Sequence, residues 1–219
     1  MIDTTSILTT LLPAIVVGYL LGAIPVAALI SRKAGVDIFS VGTGLAGASN
    51  VKRYVGKKRG GTVGLVDLTK GVLAVAASIL IGVEGAWIAL PALAAILGHW
   101  KSVFTGFRGG DGLAILGGIM VAMFPVYGFI GVLVGVLVAF GGQKLPYTSL
   151  FSVVIGYATL AALVVNANGD LPLALGLGGL SALVLARAIL GHRRRRDNDG
   201  VDWDDMDDAE GAADQRRYS

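Results

Sequence analysis

The chain has 219 residues, 54% of them hydrophobic and 15% charged, with 33 glycines and no cysteine, and its mean hydropathy is +0.73. A soluble domain carries nearer ~25% charged residues, so the composition points to an all-α, polytopic membrane protein. The missing thiols exclude disulfides and thiolate metal sites, two histidines, His99 and His192, argue against a histidine metal centre, and the net charge of +3 hides a strong asymmetry along the chain.

Residues 7–31 contain no charged side chain and exceed the ~20 apolar residues that cross a bilayer. They predict a first span, kinked near Pro25 and closed by Arg32 and Lys33. It lacks a basic leader and a small-residue cleavage site, so it reads as a span and not as a cleaved signal peptide. Residues 40–61, SVGTGLAGASNVKRYVGKKRGG, form a polar connection. The apolar residues Val36, Ile38, Phe39 and Val41 around its start predict an interfacial or re-entrant segment. A second span is expected over 62–83, with Asp67 and Lys70 three apart on one helical face.

A third span, 86–100, ends in Gly98-His99-Trp100 and leads into a second polar connection, 101–112, reading KSVFTGFRGGDG. Residues 114–124 and 128–140 read as two spans with a tight turn at Pro125, because together they are too long for one crossing of ~30 Å. A third connection, 141–146, precedes a span over 148–165. After a polar turn from Asn166 to Asp170, a seventh span covers 171–190 and ends in His192 and the arginine run Arg193 to Arg196. Residues 197–219 are acidic, poor in large apolar side chains and expected to be disordered. The expected organisation is a transmembrane domain over 1–196, with about seven helices and glycine-rich basic loops, followed by this tail. No internal repeat recurs at a fixed period.

If the N-terminus is outside, the inner segments hold every Lys and Arg except Lys70 and Arg187, which fall in spans toward their inner ends. The outer turns hold Glu84 and Asp170 and no cation. This satisfies the positive-inside rule and predicts a plasma-membrane protein whose C-terminus and functional loops face the cytoplasm.

Gly42, Gly44 and Gly47 have the spacing of a G-x-G-x-x-G loop, whose backbone N–H groups can surround an anion. Lys52, Arg53, Lys57, Lys58 and Arg59 follow, which reads as a phosphate site. Cations beside lipid also serve topology and anionic head groups. The dinucleotide version of the motif needs a preceding strand, and here a membrane span precedes it, so nucleotide binding by that fold is excluded. Nucleic acid is not an expected partner. Ser149 suits the N-cap of its span, His99 an interfacial hydrogen bond, and Asp67 with Lys70 either a structural ion pair or a pair that orients a site. The fold is expected to gather Gly42–Asn50, Arg53, Lys57, Lys70, His99, Arg108, Ser149 and His192 at one inner face.

In order, GYLLGAIP, GTGLAGASNVKR, VDLTKG, LGHW, FRGGDG, YTSLFS and a late basic segment opening at His192 resemble the membrane-integral acyl-phosphate:glycerol-3-phosphate acyltransferases of bacteria (PlsY type). The resemblance spans about residues 18–193. It implies transfer of a fatty acyl group from acyl phosphate to the 1-hydroxyl of glycerol 3-phosphate, within a lipid bilayer and without cofactor or metal. It also implies site residues. The family's G-S-G-N-x-G-x-T-N loop falls on Gly42, Thr43, Gly44, Leu45, Ala46, Gly47, Ala48, Ser49 and Asn50, with Arg53 following. D-x-x-K-G falls on Asp67, Lys70 and Gly71, and G-H on Gly98 and His99. K-G-G-K-G falls on Arg108, Gly109, Gly110, Asp111 and Gly112, the motif serine on Ser149, and H-x-x-N on His192 with Arg195 in place of the amide. The resemblance thus implies that Gly42–Gly47 and Asn50 hold the acyl phosphate and that Arg53, Lys101 and Arg108 hold glycerol 3-phosphate. His192 or His99 would accept the hydroxyl proton, unless the leaving phosphate takes it. Leu45, Asp111 and Arg195 depart from the pattern, which leaves a relative of altered activity that binds a phospholipid or phosphate ester as the alternative. A small transporter would need ionisable residues in several spans, and here they fall in span two and near the inner end of span seven. Nothing in the sequence identifies a protein partner.

Overall fold

The first apolar run is not one helix. In the computed structural model, which describes residue 5, residues 7–142 and residues 148–198, with the backbone alone for Ser149 and residues 190–198, a π-helical turn (Ile7–Leu11) leads into α1 (Leu12–Ala23). After Ile24 and Pro25 the chain resumes as α2 (Val26–Lys33). Proline offers no N–H to the helical ladder and drives the residue before it out of the α region; Ile24 accordingly has ψ 117°. The expected kink is a two-residue break.

The next elements are α3 (Ala48–Tyr54) and α4 (Lys57–Ile81). Helix α4 therefore starts earlier than the sequence predicts: Lys57, Lys58, Arg59, Gly60 and Gly61 form its first turns instead of the connection. A 3-10 turn (Gly85–Ile88) opens α5 (Ala89–Trp100). Helices α6 (Leu113–Met123) and α7 (Pro125–Gly141) meet at the expected turn, with Pro125 at the first helical position of α7, where its missing N–H leaves no vacancy in the ladder. Helix α8 (Thr148–Asn166) includes Ser149 in its first turn, so Ser149 is not the residue that caps the helix from outside. Helix α9 (Leu171–Asn198) carries on through the arginine run. Residues 143–147 of the third connection and 199–219 of the tail lie outside the described residues.

Among the described residues there is no β-strand, only an isolated antiparallel bridge between Ser102 and Arg108. The seven predicted apolar stretches are all helical. By length and composition three can cross a membrane: Ile7–Lys33, Lys57–Ile81 and Leu171–Ile189, of 27, 25 and 19 residues. Gly85–Trp100, Leu113–Met123, Pro125–Gly141 and Leu150–Asn166 are shorter.

Glycine carries much of the helix packing, as expected where apolar solvent removes the hydrophobic drive between helices and close approach takes over. Gly22 of α1 lies directly against the Ala95 carbonyl of α5, and Gly98 of α5 against the Tyr19 carbonyl of α1. Gly71 of α4 and Gly118 of α6 are reciprocal: a Cβ on either would collide with the other helix's backbone at Ile115 or Leu68. The shared core includes Val75, Ile96, Ile119, Leu160, Leu177 and Val184. Outward-facing Leu65, Leu80, Leu137 and Phe140 are 66%, 87%, 62% and 65% exposed, which is apolar surface suited to lipid and not to water. A second, small cluster of Ala27, Ile38, Ala46, Val51 and Val63 lies under the glycine-rich connection and fastens it to α2 and α4.

Candidate active site

The break at Pro25 opens the hydrogen-bond ladder at the end of α1, and distant side chains reach the carbonyls there. The Ser102 hydroxyl donates to the Ala23 carbonyl at 2.5 Å, and the Lys70 ammonium donates to the Ile24 carbonyl at 2.7 Å. Lys70 Nζ also lies 2.6 Å from Asp67 Oδ1, with both side chains almost fully buried. His99 Nδ1 is 3.8 Å from the same carboxylate oxygen. Charges removed from water need partners. The i, i+3 spacing read from the sequence supplies one, and the broken helix supplies another.

The 40–47 stretch is a set of tight turns wrapped on one amide. Gly42 and Gly44 have φ of 52° and 63°, a left-handed backbone that glycine adopts without Cβ strain. The Asn50 side chain, 3% exposed, donates to the carbonyls of Ile38, Val41 and Leu45 at 3.2, 3.1 and 3.0 Å. Its oxygen accepts from Thr43 N–H at 3.4 Å. The neighbouring donors are also engaged: Gly44 N–H reaches Val41, Leu45 N–H reaches the Thr43 hydroxyl, and Gly47 N–H reaches Leu45. Asn50 thus holds the loop together from within. Helix α3 turns Asn50 and Val51 inward and leaves Ser49, Lys52 and Arg53 exposed; the Arg53 guanidinium stands 5.9 Å from the Tyr54 ring.

The second glycine-rich connection docks on the first through Ala46 N–H, which donates to the Gly109 carbonyl at 3.1 Å. Gly110 N–H donates to the His99 carbonyl at 3.1 Å. Neither Gly109 nor Gly110 has room for a side chain: a Cβ on Gly109 would collide with the His99 carbonyl, and one on Gly110 with the His99 ring nitrogen Nε2. Lys101 is exposed, and its backbone carbonyl accepts from the Tyr19 hydroxyl at 2.7 Å. The Arg108 guanidinium lies 4.4 Å from the Phe39 ring and forms no ion pair among the described residues. Asp111 does not pair with Arg108, three residues before it. Its carboxylate accepts from Leu113 N–H at 3.1 Å, closing the start of α6, and it lies within electrostatic reach of Arg187 of α9 without a direct ion pair between them.

These elements line a cleft that opens to the surface, with about 250 Å³ of unfilled space when the solvent at its mouth is included. One wall is the helix break, Gly22 to Ala27, with Phe39 and Ala46 beside it. Asp67, Lys70 and His99 line it from α4 and α5, and Ser102, Thr105, Arg108, Gly109 and Gly110 close the other side. Of the residues singled out in the sequence, Lys70, His99, Arg108, Gly109 and Gly110 therefore meet. Gly42, Thr43, Gly44, Gly47, Ser49 and Asn50 build the adjoining loop, Gly112 sits against the Trp100 indole with φ 94°, and Arg53, Lys57 and Lys101 do not line the cleft. The side chains of Ser149 and His192 lie outside the described residues. Phe39, Ser102, Thr105 and the Ile24 carbonyl are additions that sequence reasoning missed; a signal was available only for the Ile24 carbonyl, in Pro25, which announces an interrupted helix whose carbonyls need donors.

A bundle that is all-helical among the described residues, faced with apolar side chains and holding buried ionisable groups beside a glycine-walled cleft, defines a polytopic membrane protein. Residues 12–198 match the glycerol-3-phosphate acyltransferase family, and the chain belongs to that family. It is similar to glycerol-3-phosphate acyltransferase 1 of Deinococcus radiodurans, 44% identical over 119 residues, which is 54% of this chain and 60% of that one. It is also similar to the Geobacter sulfurreducens glycerol-3-phosphate acyltransferase, 34% identical over 85% of this chain and 93% of the relative. Among solved structures, it resembles PlsY (YgiH), an integral membrane glycerol 3-phosphate acyltransferase. The glycerol 3-phosphate form gives a TM-score of 0.68 at 30% identity, covering 85% of this chain and 90% of that one. The lysophosphatidic acid form gives 0.70 at 29% identity, covering 84% and 90%.

Proposed function

We propose that this chain transfers a fatty acyl group from acyl phosphate to the 1-hydroxyl of glycerol 3-phosphate, releasing lysophosphatidic acid and inorganic phosphate. The observation that carries the reading is the cleft itself: an arginine without a carboxylate partner among the described residues, Arg108, and a buried imidazole, His99, held together between two glycine-rich connections in a membrane-embedded bundle. Acyl phosphate is a mixed anhydride with a good leaving group, so the protein's task is to bring the acceptor hydroxyl to the acyl carbon and to stabilise the developing oxyanion.

Arg108 holds the phosphate of glycerol 3-phosphate through charge-assisted contacts, kept over Phe39 when the site is empty. Exposed Lys101 and Arg53 raise the local concentration of anionic substrates. The Gly42–Gly47 loop, which includes Thr43, is tied by Asn50 and is followed by Ser49, shapes the acyl-phosphate side, with Gly109, Gly110 and Gly112 opposite. The attacking hydroxyl passes its proton to His99 or to the departing phosphate; His192 and Ser149 complete the set, His192 as the second candidate acceptor. Lys70 acts by holding the helix break. The site belongs on the cytoplasmic face of a plasma membrane, with the N-terminus outside, the domain closing near residue 196 and the tail beyond it.

The test is purified protein in lipid nanodiscs given glycerol 3-phosphate with acyl phosphate, acyl-CoA or acyl-carrier protein as donor. Lysophosphatidic acid should form from acyl phosphate alone. Product from acyl-CoA but not acyl phosphate overturns the donor assignment, and no product from any donor overturns the acyl-transfer reading.

A further inference from the structure

Arg187 has no part in the chemistry just described, yet it touches the wall of the cleft. It lies within the apolar part of α9 and is partly buried. Its guanidinium carbon is 4.7 Å from the Trp100 ring, and its Nη2 donates to the Gly110 carbonyl at 3.3 Å. The Trp100 indole N–H donates in turn to the Asp111 carbonyl at 2.8 Å, and the Asp111 carboxylate accepts from Leu113 N–H. One side chain of α9 thereby engages the end of α5 and the glycine wall directly, and the segment leading into α6 through Trp100. A charge inside a span is retained where it has partners, and a planar guanidinium meets an indole face and a carbonyl together in a way an ammonium does not. Where the K-G-G-K-G pattern has its second lysine this chain has Asp111, and Arg187, held on the neighbouring Gly110 carbonyl, brings a positive charge within electrostatic reach of it without a direct ion pair.

We propose that Arg187 and Asp111 form a positioning pair that sets the Gly109–Gly110 wall against His99 and thereby tunes the affinity of the cleft for glycerol 3-phosphate, an inference that rests on the acyl-transfer reading. The wall has no slack: Gly110 donates to His99 through its N–H, its Cα abuts the His99 ring, and Arg108 is two residues upstream. Loss of Arg187 frees the Gly110 carbonyl and leaves Asp111 as an uncompensated negative charge beside a site for a phosphate dianion. Both effects weaken acceptor binding, and the second is relieved when Asp111 is neutralised.

The experiment is the KM for glycerol 3-phosphate, with kcat measured alongside, in wild type, Arg187→Ala, Arg187→Lys, Asp111→Asn and Arg187→Ala/Asp111→Asn. Arg187→Ala should raise KM about tenfold, a change of ~1.4 kcal/mol in binding, with kcat within about threefold. Arg187→Lys should raise it less, and adding Asp111→Asn to Arg187→Ala should recover a good part of the loss. An unchanged KM in Arg187→Ala, a fall confined to kcat, or a double mutant worse than Arg187→Ala overturns the proposal. Should Arg187→Ala fail to insert, Arg187→Lys decides: an unchanged KM there overturns it equally. A second readout needs no turnover. In a Trp87→Phe/Trp203→Phe background, the emission of Trp100 should change in Arg187→Ala; unchanged emission overturns the pair. Wild type that makes no lysophosphatidic acid while the emission change persists overturns the acyl-transfer reading and not the pair's geometry.

Discussion

The ammonium of Lys70 lies 2.7 Å from the carbonyl oxygen of Ile24, at the point where Pro25 interrupts the first apolar run. One side chain therefore neutralises Asp67 and caps a broken helix, which ties α4 to the α1–α2 junction across 46 residues of chain. Removing Lys70 strands a buried carboxylate, and breaking a buried pair from one side costs ~3–5 kcal/mol. Lys70→Met should lower the thermal unfolding midpoint in detergent well below wild type, while Lys70→Met/Asp67→Asn should be clearly milder than the single change. Additive losses would show that the pair does not act as a unit.

Asn50 is the hub of the first glycine-rich connection. Its amide donates to three carbonyls, so Asn50→Asp replaces the donor with a second acceptor facing them. Each stranded buried group costs ~1–3 kcal/mol. Asn50→Asp should be more damaging to stability than Asn50→Ala, and both should open the loop to proteolysis between Ser40 and Lys52. Equal protease resistance in Asn50→Asp and wild type would contradict this.

Gly110 has no room for a Cβ, which would collide with the His99 ring and fall only 2.7 Å from the Ala46 carbonyl oxygen. Gly110→Ala should cut acyl transfer by tenfold or more, on the order of 1.4 kcal/mol or above in transition-state stabilisation, in protein that still inserts. Gly61→Ala is the matched control: the site is open and helical, and alanine there should stabilise by ~0.5–1 kcal/mol with activity unchanged.

Much of this arrangement was legible before the fold. Asp67 and Lys70 stood out because charges three apart in an apolar stretch need one another, and His99, Arg108, Gly109 and Gly110 because glycine and cations cluster where apolar helices end. Proline placement gave the turn at Pro125 and the interruption at Pro25. What could not be read were relations between distant segments. Ser102 matters through a carbonyl 79 residues away and Arg187 through one 77 residues away, and neither spacing leaves a local pattern. Arg53, expected in the site, stands outside the cleft because α3 gives its inner side to Asn50 and Val51. Arg108 and Asp111 are three apart in sequence, yet the turn sends Arg108 to Phe39 and Asp111 to the start of α6.

The chain has no native cysteine, so single cysteines report topology directly. Lys57, Lys58 and Arg59 crowd the N-terminus of α4, where the helix dipole disfavours cations; in the proposed orientation anionic cytoplasmic head groups would offset that cost. A cysteine at Lys57 should be labelled by impermeant reagent only after the membrane is opened, and one at Glu84 should be labelled from outside intact cells. Labelling of Lys57→Cys from outside would reverse the orientation.

The role proposed for Arg108 is to bind glycerol 3-phosphate in this cleft. Its most direct test is kcat/KM for glycerol 3-phosphate, with acyl phosphate as donor, in wild type, Arg108→Ala and Lys58→Ala. Lys58 is exposed on α4 and does not line the cleft. Loss of a charge-assisted contact to phosphate is worth ~2–3 kcal/mol, or roughly 30–150-fold, so Arg108→Ala should fall by that factor, mainly through KM, while Lys58→Ala stays within about twofold of wild type. Equal effects of the two substitutions, or an unchanged KM in Arg108→Ala, would contradict the account.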